Sequence, residues 1–118
     1  MYEGKCHCGA IRFTVTEAPA KLVDCNCSLC RRLGALWGHV SISSVSVEYS
    51  PELVTSYTQG DETLAVKTCI SCGCTTHYES LQHNGEYMAV NFRMCEPDVV
   101  SAFRIRKFDG ADSWKFLD

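Results

Sequence analysis

The chain has 118 residues, 46% of them hydrophobic and 21% charged, and a formal net charge of −3 from 11 basic and 14 acidic residues. That length suits one domain, residues 1–118, with a modest core, and no stretch approaches the ~20 apolar residues of a membrane span. Mild acidity without a basic tail argues against a partner such as nucleic acid, whose phosphates demand positive charge.

Met1–Lys5 leads straight into a cysteine cluster with no apolar export signal, so a cytoplasmic, reducing location is expected. Cys6-His7-Cys8 precedes a segment in which Ile11, Phe13 and Val15 alternate with polar residues, the period-two pattern of a strand with one buried face. Residues two apart in extended chain point the same way, so Cys6 and Cys8 are expected to face one ion and His7 to face away. After the Ala18-Pro19 turn comes Cys25-Asn26-Cys27-Ser28-Leu29-Cys30, and one short helix is expected from Ser28 through Arg32, capped by Ser28 and ending near Gly34. Val45, Val47 and Tyr49 repeat the strand pattern up to Ser50-Pro51. Past Gly60-Asp61, Thr63–Cys69 carries Leu64 and Val66 on one face and ends in Cys69-Ile70-Ser71-Cys72. Tyr87–Phe92, after Asn84-Gly85, and Ser101–Phe108, after Glu96-Pro97, read as two more strands, with Phe103 and Ile105 in the core and a turn at Asp109-Gly110. Short strands with frequent turns and no βαβ alternation predict an all-β fold.

Seven of the nine cysteines fall in the three clusters. A disulfide framework would leave one thiol over and belongs to exported proteins. Paired thiolates a residue or two apart instead suit zinc. Cys6, Cys8, Cys69 and Cys72 supply four sulfurs, a closed structural site in which Gly73 lets the chain bend behind Cys72. Cys25, Cys27 and Cys30 supply three, and a catalytic zinc keeps its remaining position for water or substrate. Two other readings of this middle cluster stand beside that one. A fourth protein ligand from His39, Cys74, His77, His83 or Cys95 closes it, or it binds zinc only transiently or is a redox thiol set. Arg31 and Arg32 are candidates for binding the carboxylates of an anionic substrate, with only one of two helix neighbours facing the site; otherwise they are a solvated pair. Trp37 and Trp114 read as core or rim aromatics, and Cys74 and Cys95 as packing thiols.

The set Gly4-x-Cys6-x-Cys8-Gly9-x-Ile11-x-Phe13, Cys25-x-Cys27-x-x-Cys30-Arg31-Arg32 with Gly34-Ala35, and Cys69-x-x-Cys72-Gly73 resembles the glutathione-dependent formaldehyde-activating enzyme family. The ending Arg106-Lys107-Phe108-Asp109-Gly110 with Trp114 is similar to that family's end, so the resemblance covers nearly the whole chain. It implies several coiled antiparallel sheets built around zinc. It also implies a structural zinc on Cys6, Cys8, Cys69 and Cys72 and a second zinc on Cys25, Cys27 and Cys30, two per chain. The implied activity is a carbon–sulfur lyase reaction on the glutathione–formaldehyde adduct. Because the family also includes the chromatin-associated centromere protein V, two functions are carried forward. One is an enzyme that binds a small thiol such as glutathione at an open zinc, with His39, His77 and His83 as its titratable groups near neutrality. The other is a non-catalytic, zinc-stabilised interaction module.

Overall fold

The structure is a computed structural model and describes residues 1–58, 63–82 and 86–118. The expected turns at Gly60-Asp61 and Asn84-Gly85, and the candidate His83, lie outside the described residues. In chain order the elements are β1 (Tyr2–Lys5), β2 (Arg12–Val15), β3 (Leu22–Cys25), α1 (Ser28–Leu33), β4 (Trp37–Ser41), β5 (Val45–Glu48), β6 (Val54–Thr58), β7 (Leu64–Cys69), β8 (Thr75–Ser80), β9 (Tyr87–Asn91), α2 (Pro97–Ser101) and β10 (Ile105–Phe108).

The fold is mostly β, and two sheets carry it. A three-stranded antiparallel sheet runs β1-β2-β5, and a seven-stranded one runs β10-β3-β4-β9-β8-β7-β6. This departs from several short antiparallel sheets, since one sheet is long and its β10–β3 edge is parallel, with Phe108 opposite Cys25. Hairpins impose antiparallel pairing, but β3 and β10 are joined through most of the chain, so no hairpin fixes their direction.

The period-two alternation gives the long sheet two different faces. Leu22, Val40, Met88 and Val90 point toward the small sheet, where they pack with Phe13 and Val15 of β2 and with Phe92. Each such side chain contributes about 1.5–3 kcal/mol by leaving water. Their neighbours Val23, Trp37 and Ala89 point the other way and pack with Cys25, Cys30, Tyr78, Phe108 and Phe116. Gly38 falls within β4 because the Phe92 ring lies 2.5 Å from where a Cβ would stand.

Several local expectations need correction. The helix runs Ser28–Leu33 and meets a left-handed residue at Gly34, but its cap is Cys27, whose sulfur accepts the Cys30 N–H; Ser28 is already inside the first turn. Ser101–Phe108 is not one strand. Pro97 fits the first turn of a helix, where its missing N–H costs nothing, so Pro97–Ser101 coils and pairing begins at Ile105. Phe103 is half-buried against the core, whereas Ile105 is exposed at the sheet edge. The segment around Cys6 and Cys8 is a turn, not extended chain.

Candidate metal centres

The first cysteine group lies between the sheets. Cys6 and Cys8 come from the β1–β2 connection and Cys69 and Cys72 from the tip of the β7–β8 hairpin, and all four sulfurs lie within 4.8 Å of one another. Both halves are tight turns of the same design. The Gly9 N–H donates to the Cys6 carbonyl and the Gly73 N–H to the Cys69 carbonyl, at 3.0 and 2.8 Å. Gly9 and Gly73 have φ of 82° and 79°, a left-handed backbone that a side chain would strain. His7, between two candidate ligands of the turn, is exposed and does not belong to the group.

The sulfur spacing suits zinc. Zinc–sulfur bonds of about 2.3 Å in a tetrahedron place sulfurs about 3.8 Å apart, and Cys6–Cys8 and Cys8–Cys69 are 3.7 and 3.6 Å apart. Backbone N–H groups already aim at this cluster, as where Ile11 donates to the Cys6 sulfur at 3.3 Å. Burial opposes ionisation of Cys72, but N–H donors of Cys8 and Cys74 and the thiols of Cys69 and Cys6 outweigh it and hold the group down at about 5. At Cys8 the Ala10 N–H favours the thiolate, yet the contact with Cys69, desolvation and the contact with Cys6 push it up to about 11. Adjacent thiols cannot all ionise without a cation, and a divalent metal supplies that charge. Cys74 packs half-buried beside this group, and Cys95 is buried in the main core.

The second group is local. Cys25 ends β3, Cys27 caps α1 and Cys30 sits in the first turn of that helix, with all three sulfurs within 4.8 Å of one another. Among the described residues no fourth His, Cys, Asp or Glu completes this group at that spacing. The Cys27 N–H donates to the Cys25 sulfur at 3.5 Å, the Cys30 N–H to the Cys27 sulfur at 3.3 Å, and the Trp37 indole N–H to the Cys30 sulfur at 3.3 Å. Burial raises the Cys25 thiol and pushes Cys30 up to about 12 despite the Trp37 donor. Cys27 is lowered, because the Cys30 N–H and the sulfurs beside it outweigh its own desolvation.

A C-terminal segment roofs the second group. Asn26 donates to the Asp109 carboxylate at 3.0 Å and accepts the Ala111 N–H at 3.0 Å, so the residue between two candidate ligands also holds that roof. Gly110 lies so close that an added Cβ would stand 2.7 Å from the Cys25 sulfur and 3.2 Å from the Cys27 Cβ. The group opens into a cavity of about 810 Å³ whose lining includes Lys21, Trp37, His39, Tyr57, Tyr78, Phe108, Trp114 and Phe116. Strand register builds its floor. Tyr57, Val66, Tyr78, Ala89 and His39 are successive partners across β6, β7, β8, β9 and β4. The small Ala89 between them lets the Tyr78 hydroxyl reach His39 Nε2 at 2.7 Å. Burial, then the Cys30 and Cys25 thiols, raise Tyr78 well above its ordinary value, so the phenol stays protonated. Burial and the Lys21 ammonium lower His39, which keeps its imidazole neutral near pH 7 although its edge remains accessible to solvent.

Of the other described ligand and titratable candidates, only His39 lies at this cavity. His77 is fully buried on the opposite face of β8, bonded through Nδ1 to the Thr76 hydroxyl, with Nε2 lacking a hydrogen bond and 3.6 Å from a Glu79 oxygen. Arg31 and Arg32 are exposed on α1 and are not among the residues lining the cavity; the Arg32 guanidinium donates to the Ser28 carbonyl at 2.7 Å. Trp37 is buried and Trp114 stands on the rim. Sequence reasoning missed Tyr78, Asn26, Gly110 and the thiol contact of Trp37. Only the Asp109-Gly110 pair left a trace there, and it read as a turn.

A model of the glutathione-dependent formaldehyde-activating enzyme family matches residues 1–104. The fold is also similar to that in a crystal structure of a Rhodobacter sphaeroides protein, with a TM-score of 0.69 and 28% identity over 87% of this chain and 98% of that one. Among the described residues no helix is long and apolar enough to cross a membrane.

Proposed function

The chain belongs to the glutathione-dependent formaldehyde-activating enzyme family, and from that premise we propose a zinc-binding carbon–sulfur lyase acting on the adduct of a small, glutathione-like thiol. Residues 1–118 form one zinc-binding domain in this reading. Cys6, Cys8, Cys69 and Cys72 would hold a structural zinc, and Cys25, Cys27 and Cys30 a second one. The observation that carries the proposal is the three-thiol group that opens onto a cavity furnished with a tyrosine–histidine pair.

Zinc held there would supply a positive charge that lowers the pKa of an incoming thiol. The rest of the chemistry falls to the chain. In the cleavage direction the adduct's hydroxyl gives its proton to the Tyr78 oxygen as the Tyr78 proton passes to His39 Nε2. The oxygen's electron pair then forms the aldehyde C=O, and the carbon–sulfur pair leaves on sulfur. Condensation is the reverse, with the thiolate adding to the carbonyl carbon and His39 returning the proton through Tyr78. A neutral imidazole and a protonated phenol are the forms this relay needs, and both directions of shift favour them. Roofing by 109–113 limits water at the sulfur. Arg31 and Arg32, exposed beside the group, would attract an anionic thiol toward it.

X-ray absorption at the zinc edge of metal-replete protein, with and without glutathione, tests this. Two zinc ions per chain and one added sulfur ligand on glutathione addition are expected. One zinc per chain, or a spectrum indifferent to glutathione, overturns the enzyme reading. The exposed Tyr57 and Trp114 favour the second reading, a zinc-stabilised interaction module without catalysis. Both residues line the cavity, and a flat exposed face would have served that role better.

A further inference from the structure

We propose that the cavity beside the second cysteine group selects a thiol adduct whose organic body is aromatic and carries at most one anionic group, in preference to the adduct of glutathione with a one-carbon aldehyde. This rests on the preceding reading for the position of the sulfur but not for the character of the walls.

Six aromatic side chains line the cavity: Trp37, Tyr57, Tyr78, Phe108, Trp114 and Phe116. Several meet edge to face, Trp37 with Tyr78 and Phe108 with both Trp114 and Phe116, at centroid separations of 5.0–5.1 Å. They form two edge-to-face groups on the lining, either of which a further ring could extend in the same geometry. A volume of about 810 Å³ is that of a site for a drug-sized molecule, and the peptide body of glutathione, though large enough to fill it, offers no ring to these aromatic faces.

The rim carries an independent sign. Tyr57 and Trp114 are 58% and 71% exposed, large apolar surfaces left uncovered at the mouth of the same cavity. Trp114 is also held at φ 59°, the one left-handed non-glycine residue among those described, by its N–H bond to the Asp109 carbonyl at 2.8 Å. A strained backbone that presents an exposed indole to a cavity points to a ligand that covers it.

Charge narrows the class. Among the described lining residues Lys21 is the one permanent cation, with its ammonium 5.2 Å from the Phe116 centroid, and no aspartate or glutamate lines the wall. Glutathione carries two carboxylates and an ammonium. One carboxylate can meet Lys21; among the described residues the nearest guanidinium to the wall, Arg106 over the Phe116 ring at 4.1 Å, is already paired with Asp118 at 3.2 Å, and no described lining carboxylate meets the ammonium. Burying such groups unpaired is unfavourable, whereas an aromatic body with one carboxylate matches the wall group for group.

Calorimetry on the zinc-loaded protein with 2-mercapto-3-phenylpropanoate, glutathione and 2-mercaptoethanol tests the selectivity. Fluorescence of Trp37 and Trp114 with sulfur-free 3-phenylpropanoate tests the wall by itself. The phenyl thiol is expected to bind at least about tenfold more tightly than either other thiol, and 3-phenylpropanoate to quench the fluorescence. Trp114→Ala and, separately, Tyr57→Ala should each cut that preference to about threefold or less. Glutathione binding as tightly as the phenyl thiol, or a preference untouched by both substitutions, overturns the inference and leaves the enzyme reading intact. Quenching by 3-phenylpropanoate with no thiol reaching the metal has the opposite effect: it removes the enzyme reading and upholds the aromatic pocket.

Discussion

The two cysteine groups use the same side chain for different ends, and the difference lies in what each joins. Cys8 and Cys69 are 61 residues apart and 3.6 Å between sulfurs, so the first group ties the small sheet to the hairpin tip of the large one. The second group spans Cys25 to Cys30, one strand end and the helix that follows it. A metal in the first would close a long loop, whose entropy cost grows only by about 0.6 kcal/mol per doubling of length. A metal in the second would close almost nothing. The first group has two fully buried members, Cys6 and Cys69, with Cys72 half-buried and Cys8 exposed, whereas all three sulfur residues of the second are half-buried beside a cavity. Long-range closure and burial suit a fastener, and local closure beside open space suits a working site.

The largest effect should come from breaking the fastener. Structural zinc contributes about 10–16 kcal/mol in small zinc peptides, as much as the whole stability of a typical domain, about 5–15 kcal/mol. Cys6→Ser or Cys72→Ser should therefore abolish cooperative thermal unfolding by circular dichroism. Cys27→Ser makes the complementary case. Serine is a preferred helix cap, so the cap that the Cys27 sulfur now provides is kept while a metal ligand is lost. The expected outcome is a folded protein with one zinc instead of two by metal analysis. A folded Cys6→Ser protein alongside an unfolded Cys27→Ser one would reverse the roles assigned to the two groups.

A smaller effect should follow at Gly110. Its substitution by alanine puts a methyl 2.7 Å from the Cys25 sulfur, so either the roof lifts or the sulfur moves. Gly110→Ala should weaken zinc at the second group by about tenfold or more in a chelator competition, in line with about 1–2 kcal/mol of displacement, and leave the first group's zinc in place. Loss of both metals together would mean that the two groups are not independent.

Much of this contrast was legible in the sequence, for a physical reason: metal ligands in turns are close in sequence, so their spacing survives without a structure. The three short cysteine clusters, the bend at Gly73 and the short helix ending at Gly34 are legible that way, and the pairing of the first cluster with the third, 61 residues on, follows from needing four sulfurs to close a tetrahedron. Strands with a regular apolar alternation, such as Arg12–Val15 and Val45–Glu48, were equally visible. What escaped were strands whose burial does not alternate in hydrophobicity. Thr75–Ser80 buries Thr75, Thr76 and His77 in succession, and Trp37–Ser41 is interrupted by a glycine that exists for Phe92. The cavity escaped altogether, because its floor is a row drawn from five strands and its roof comes from the chain's last residues. Nothing local marks Tyr78 as the partner of His39.

The smallest effect sharpens the contrast on the scale of one strand. His77 and Tyr78 are neighbours on β8 that point to opposite faces, the closed side between the sheets and the open side at the cavity. Burial lowers His77 below its ordinary 6.5, the Glu79 carboxylate offsets this only in part, and Lys67 adds to the lowering. A histidine whose folded pKa is depressed binds its proton first in the unfolded chain. Its contribution is therefore complete above about 6.5 and is lost as pH falls from there toward the depressed value. Loss in acid of any metal the cysteines hold would lower the melting temperature of every variant, so the informative quantity is a difference. His77→Gln keeps a polar partner for the Thr76 hydroxyl and removes the titration, and its melting temperature should fall less than that of the unsubstituted protein between pH 7 and pH 5, by a few degrees. His39→Gln should change that slope less, because the His39 edge reaches solvent and can be hydrated when charged. Parallel curves for His77→Gln and the unsubstituted chain would show that the closed face tolerates a charged imidazole, and would erase the distinction between the two faces at this strand.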